Sequence, residues 1–204
     1  MNLSFLIPPP LFSARALLPR HRSRPALRAS HNAHANVRPD AFYMHAALEQ
    51  AHRAFIANEV PIGAVLVDAS GNIIAEGHNA VERTTDCTQH AEMVCIQQAM
   101  SQRRAWRLNG TILYSTVEPC AMCISAITLA RIRRVVFGAR DLRLGACGTW
   151  VDLVNEKHPF HTLDEVVGGV LAEQSAALLR SFFQERRRHT ASKAHGDANG
   201  FQNQ

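Results

Sequence analysis

Residues 111–138, TILYSTVEPCAMCISAITLARIRRVVFG, decide the fold. Thr111–Thr116 and Arg134–Gly138 are rich in β-branched and aromatic residues and predict strands. Between them Cys120–Ala130 predicts a helix, with Pro119 suited to its first turn because proline has no N–H to lose there. Upstream, Pro61 opens the strand Ile62–Val67, and Asp68-Ala69-Ser70-Gly71 is turn chemistry. Ile73–Gly77 then returns as the second arm of a hairpin. Asp40 is a candidate cap for a first helix, along which Met44, Ala47, Leu48, Ala51 and Phe55 recur at helical spacing. Further helices fit Ala91–Met100 and Leu171–Arg187, the last with Leu171, Ser175, Leu178, Leu179 and Phe182 on one side. Strands alternating with helices predict an α/β protein whose sheet is covered on both faces, and the opening hairpin makes that sheet mixed.

The chain of 204 residues is 47% hydrophobic, enough for one core, and 19% charged. No stretch approaches the ~18 consecutive apolar residues of a transmembrane helix, so no membrane partner is expected. The net charge of +5 is unevenly placed. Residues 1–39 hold six arginines and no acid, which leaves 16 basic against 17 acidic residues in 40–204. Basicity therefore belongs to the leader and does not by itself imply a nucleic-acid partner for the domain. An Arg-rich, Ser-containing, acid-free leader has the composition of an organelle transit peptide, for import into a plastid stroma or a mitochondrion. A disordered basic tail, or a cytoplasmic protein with its start placed too early, would look the same. The expected organisation is a leader at 1–39, a domain at 40–188 and a disordered polar tail at 189–204.

Two clusters carry chemistry, His90-Ala91-Glu92 and Pro119-Cys120-Ala121-Met122-Cys123. Cys120 and Cys123, three apart at a helix start, put both sulfurs on one face, where the helix N-terminus favours thiolates. One imidazole and two thiolates leave a fourth position open, which is the stoichiometry of a catalytic zinc site, one Zn2+ per chain. Glu92, two residues from the histidine, is a poor ligand but stands where a carboxylate can accept and redeliver the proton of a metal-activated water. The pattern H-x-E followed by P-C-x-x-C is the signature of the zinc deaminases. Cys95 falls on the apolar side of its helix and is expected to be buried. Cys87 and Cys147 lie in loops, and His158 and His161 in a His-Pro-Phe-His stretch; for all four a loop or packing role is favoured over a metal role. Asn109-Gly110-Thr111 matches a glycosylation sequon but leads straight into a strand, as a turn does.

From about Tyr43 to Arg188 the chain resembles the bacterial-type tRNA-specific adenosine deaminases, of the wider cytidine and deoxycytidylate deaminase superfamily. The likeness runs through EVPIGAVLV, GHN, TQHAEM, TVEPCAMC, RIRRVVFGARD, GGVLAEQSA and SFFQERRR. It implies a three-layer α/β/α cytidine-deaminase-like fold with about five strands. It also implies zinc on His90, Cys120 and Cys123 with Glu92 as catalytic proton shuttle, and hydrolytic conversion of wobble adenosine to inosine. Asn79 corresponds to a residue that hydrogen-bonds the target base, and Asp141 to one near the ribose of the flipped nucleotide. Phe182, Phe183 and Arg186 correspond to the helix that meets the tRNA anticodon stem-loop, with Arg180, Arg187 and Arg188 as further cations there. A homodimer is implied too. Cys87, Gln89 and Cys147 depart from the family pattern without touching a ligand or Glu92, so they bear on substrate fit. The stretches RLGACGTW and HPFH resemble plastid and chlamydial versions. Rival readings are a small-molecule nucleobase or nucleoside deaminase with the same zinc site, a non-catalytic RNA-binding deaminase-like subunit, which an intact Glu92 disfavours, and a structural zinc protein.

Overall fold

Three layers carry the site. A computed structural model describes residues 38–156 and 161–199, with side chains as far as His189. The expected leader lies outside the described residues apart from Arg38 and Pro39, and so do His158 and residues 200–204. The elements run α1 (Asp40–Ile56), β1 (Gly63–Val67), β2 (Ile73–His78), α2 (Val81–Thr84), α3 (Ala91–Arg103), β3 (Ile112–Val117), α4 (Ala121–Leu129), β4 (Arg134–Ala139), β5 (Glu165–Val167) and α5 (Ala172–Asn199). The sheet order is β2-β1-β3-β4-β5. β1 is antiparallel to both β2 and β3, whereas β3–β4 and β4–β5 are parallel. The predicted mixed, five-stranded, helix-covered sheet is what forms.

Burial of β1 and β3 on both faces explains the unbroken apolar run of β1 and the largely apolar β3, whose Ser115 and Thr116 are buried as well. Ala64, Leu66, Leu113 and Val135 face α3 and α4 through Ala91, Cys95, Ile96, Ile124 and Ile127. Val65, Val67, Tyr114 and Val136, on the alternate positions, face α1 through Tyr43, Met44 and Ala47. α1 approaches so closely that a Cβ on Gly63 would lie 2.1 Å from the Ala47 carbonyl oxygen. The turn after β1 follows its chemistry: the Asp68 carboxylate accepts from the backbone N–H groups of Ser70 and Asn72, and Gly71 takes φ 84°.

Some expectations change. Asp40 does not cap α1; Pro39 takes that position, and Asp40 opens the helix with its carboxylate turned to β4. There Arg134 grips it bidentately at 2.7 and 2.9 Å, while the Tyr114 hydroxyl donates at 2.9 Å. Pro119 stands one residue before the N-cap of α4, which is Cys120, so it precedes the first turn. α5 continues to Asn199, through residues expected to form a disordered tail.

The Asp40–Arg134 pair gives a pH-dependent prediction. The guanidinium holds the Asp40 carboxyl below its ordinary value against the opposing effect of burial. A folded-state value below the unfolded one means that stabilisation is complete above about pH 4 and is lost as pH falls through the folded value. Asp40→Asn should therefore lower stability near neutrality by about 1.5–3 kcal/mol at most, the range for hydrogen bonds to charged groups. Its melting temperature should also depend less on pH between about 2 and 5. Equal acid sensitivity of variant and parent in a melting series would contradict this.

Candidate active site

Two helix starts meet at the ends of the strands. α3 is preceded by His90 and α4 by Cys120, both in extended backbone conformation at the N-cap. β3 delivers Glu118, Pro119 and Cys120 from inside the sheet, while the segment after α2 delivers His90. Asp86 shapes that approach by accepting from the Thr88 N–H and hydroxyl and from the Gln89 amide.

The Nδ1 of His90 lies 3.6 Å from the Sγ of Cys120 and 3.6 Å from that of Cys123. Tetrahedral zinc with ordinary Zn–N and Zn–S bonds would separate such atoms by roughly 3.6 Å. Among the described residues these three form the group able to hold a metal ion, their ligand atoms all lying within 4.8 Å of one another. The donor set and its spacing fit zinc. The adjoining Cys123 sulfur takes the Cys120 thiol down to about 4, while Cys120 and burial push Cys123 up. The Cys120 sulfur in turn raises the His90 imidazole above its ordinary value. A divalent cation would draw off the remaining thiol proton.

Glu92 is only 4% exposed and does not join the metal group. Its Oε1 accepts from the Ser115 hydroxyl at 3.2 Å. Burial pushes its carboxyl above the usual carboxylate range, opposed by its own backbone N–H, His90 and Ser115. A shift in this direction favours a carboxyl that takes up a proton and returns it, as a proton carrier must.

The remaining candidates divide. Asn79 is buried just after β2, and its Nδ2 donates to Glu59 at 3.1 Å, which settles the amide orientation. Asp141 shapes its own loop by accepting from the N–H groups of Arg143 and Leu144. Phe182 is 5% exposed and packs edge-on against Phe55 of α1, so it belongs to the α1–α5 packing and not to a surface open to RNA. Phe183 is half-buried and lines an open groove with Arg143, Leu179, Arg180, Gln184 and Arg187. Arg186 turns the other way, over the Phe182 ring and within 3.2 Å of the Asn58 side chain. Cys95 is buried and donates to the Ala64 carbonyl. Cys87 is exposed, and Cys147 is pushed up to about 12 by burial and by nearby Glu118. Neither belongs to the metal group, and His161 instead pairs with the Ile132 carbonyl.

Two organising acids escaped the sequence reading. Glu118, 3% exposed, accepts from the backbone N–H groups of Asp141, Cys147 and Thr149 and from the Thr149 hydroxyl. It clamps the loop after β4 against the zinc helix, where Gly145 bridges to Cys120 and the Ala146 N–H reaches the Pro119 carbonyl. Glu59 does the same on the other side, accepting from Asn79 and from the N–H groups of Glu82 and Arg83. The signal available was an acid in each of two otherwise apolar stretches, EVPIGAVLV and TVEPC.

A mixed open sheet that presents an imidazole, two thiolates and a buried carboxyl from two adjacent helix starts defines a zinc-dependent deaminase. Residues 37–139 match the family model for the cytidine and deoxycytidylate deaminase zinc-binding region. The chain is 45% identical over 149 residues to the tRNA-specific adenosine deaminase of Bacillus subtilis, covering 73% of this chain and 91% of that protein. It is 43% identical over 162 residues to the chloroplastic tRNA(adenine(34)) deaminase of Arabidopsis thaliana, covering 72% of this chain but only 12% of that much longer protein. A chain solved in biochemical and structural studies of A-to-I editing by tRNA:A34 deaminases superposes with TM-score 0.64 at 39% identity, over 67% of this chain and 98% of that one. The chain belongs to the family of tRNA-specific adenosine deaminases.

Proposed function

We propose that this protein hydrolyses adenosine to inosine at the wobble position of tRNA anticodons, with zinc held by His90, Cys120 and Cys123 and with Glu92 as the proton carrier. The observation that carries the proposal is the pair of 3.6 Å ligand spacings beside a buried, unligated Glu92. A bound zinc lowers the pKa of its water towards about 7 and so provides the nucleophile. The protein's own groups do the rest. The base leaves its stack for the pocket, since a stacked base cannot be reached. Asn79, its amide held by Glu59, offers its carbonyl oxygen to a donor on that base. As the water oxygen bonds to C6, Glu92 takes the water proton and delivers it to N1. Glu92 then takes the proton of the new hydroxyl and gives it to the exocyclic amine. The C6–N bond breaks, ammonia leaves, and the carbonyl of inosine remains. Incubating a tRNA transcript with the protein and sequencing it for A-to-G change at the wobble position tests this. Conversion of free adenosine or guanine, with an anticodon stem-loop left unchanged, would replace it with a small-molecule activity.

Substrate grip is assigned to the groove of Arg143, Arg180, Phe183 and Arg187, with Asp141 shaping the loop that carries Arg143, and by resemblance to Arg186, which packs over Phe182 outside that groove. Arg186→Ala with Arg187→Ala should weaken stem-loop binding and flatten its salt dependence. Each lost phosphate contact lowers the log–log slope by about 0.7 for single strands. Turnover at saturating RNA should change little, since backbone contacts position without meeting the transition state. An unchanged slope across a salt series would leave these arginines as a solvated helix end. Exposed Leu142, Leu144 and Trp150 beside the loop support a homodimer. The composition of residues 1–39 and the likeness to a chloroplastic relative support a plastid location.

A further inference from the structure

Charge is segregated along the two helices that start at the metal site. Residues 93–117 and 119–140 contain seven arginines and no acid. Arg134 is committed to Asp40 and Glu165, Arg133 pairs with Asp164, and Arg140 bonds Thr149. That leaves Arg103, Arg104, Arg107 and Arg131, none of which makes an ion pair among the described residues, although Arg103 is near enough to lower Asp68. All four gather at the ends of α3 and α4 remote from the ligands. Leu108 N–H reaches the Ala130 carbonyl and Arg133 N–H the Thr111 carbonyl, which brings the two helix ends together.

Between Arg104 and Arg107 in the chain stands Trp106, 52% exposed. The Arg107 guanidinium lies 4.0 Å and that of Arg131 5.7 Å from its ring. Arg104 follows the end of α3 at φ 50°, and Arg131 follows α4 at φ 62°. Both are in the left-handed region, where a helix end normally places glycine and where an arginine is strained. A cation at a helix C-terminus complements the dipole. That accounts for one charge per helix, not for four at these two ends with two of them over an exposed indole. Cations fanned about an aromatic face are the means by which proteins hold RNA, phosphates on the arginines and a base or sugar against the ring.

We infer that this surface is a second RNA contact, distinct from the anticodon pocket, that takes the sugar-phosphate backbone of the tRNA outside its anticodon loop. It rests on the tRNA reading above. The 13 residues of α3 separate the two ends by roughly 20 Å at 1.5 Å per residue. An anticodon loop seated at the zinc therefore does not reach the patch, whereas the body of a full-length tRNA extends well beyond its loop.

The test is Arg104→Gly combined with Arg131→Gly, since glycine takes both φ values without strain and only the side chains are lost. Binding of full-length tRNA and of the isolated anticodon stem-loop is measured across a salt series, with turnover on each. Full-length tRNA should bind about tenfold more weakly, and its log–log salt slope should fall by about 1.4–1.8 for two lost phosphate contacts. Stem-loop binding and turnover should not change. If this variant fails to fold, Arg107→Gln keeps both caps and should weaken full-length tRNA alone. Unchanged full-length binding overturns the inference. So does equal weakening of both RNAs, which would place the patch within the anticodon grip, and so does capture of an acidic protein in preference to tRNA. A wild-type protein that deaminates neither RNA would refute the proposed function, while the binding comparison would still decide this one.

Discussion

Glu92→Gln should fold, hold its zinc and lose about 10²–10⁴-fold in turnover, the range for a general acid–base group. That corresponds to about 2.7–5.5 kcal/mol of transition-state stabilisation. The substitution is isosteric, and the amide oxygen can still accept from Ser115, which donates to Glu92. Nothing in the packing is disturbed. A buried carboxyl burdened by desolvation is replaced by a neutral group, so the melting temperature should stay level or rise. The expected loss lies at the upper end of the range because the same side chain acts at both bond-forming and bond-breaking stages. Turnover within tenfold of the parent would remove the assigned role. Loss of zinc from the variant would show instead that Glu92 is a ligand.

The chemistry was legible because its residues are close in sequence and their spacing has a mechanism. His90 and Glu92 are two apart and Cys120 and Cys123 three apart, each pair at a helix start that the strand–helix pattern locates. The two faces of the sheet were legible through long apolar runs. Two short elements were not foreseen: α2 spans four residues and β5 three, too few to show a period. Glu59 and Glu118 were hidden for another reason. Their donors lie far along the chain, up to Arg83 for one and Thr149 for the other, so no local pattern announces them. Phe182 looked like a substrate contact by resemblance, but its helical register turns it onto Phe55. Phe183, one position on, faces the groove instead.

Removal of the metal should have the other large effect. Three ligands converge and no second group does among the described residues, so purified protein should contain one zinc atom per chain. Cys123→Ala or His90→Ala should each empty the site, because two remaining ligands bind far more weakly than three. The double variant should then lose no more activity than either single one, since the residues act as a unit. A metal held at 1,000 times its dissociation constant contributes about 4.1 kcal/mol to stability. Stripping it should lower the melting temperature by about 8–16 °C for a domain of this size. Acid should strip it as well. The ligands must be deprotonated to bind, and Cys123, raised by its neighbour, releases a proton as the metal enters. Zinc affinity should therefore fall as pH is lowered, and one binding event should release protons that calorimetry in buffers of different ionisation enthalpy can count. Two zinc atoms per chain, or a melting temperature indifferent to chelation, would mean that the cluster at the head of α3 and α4 is not the folding and catalytic centre its geometry indicates.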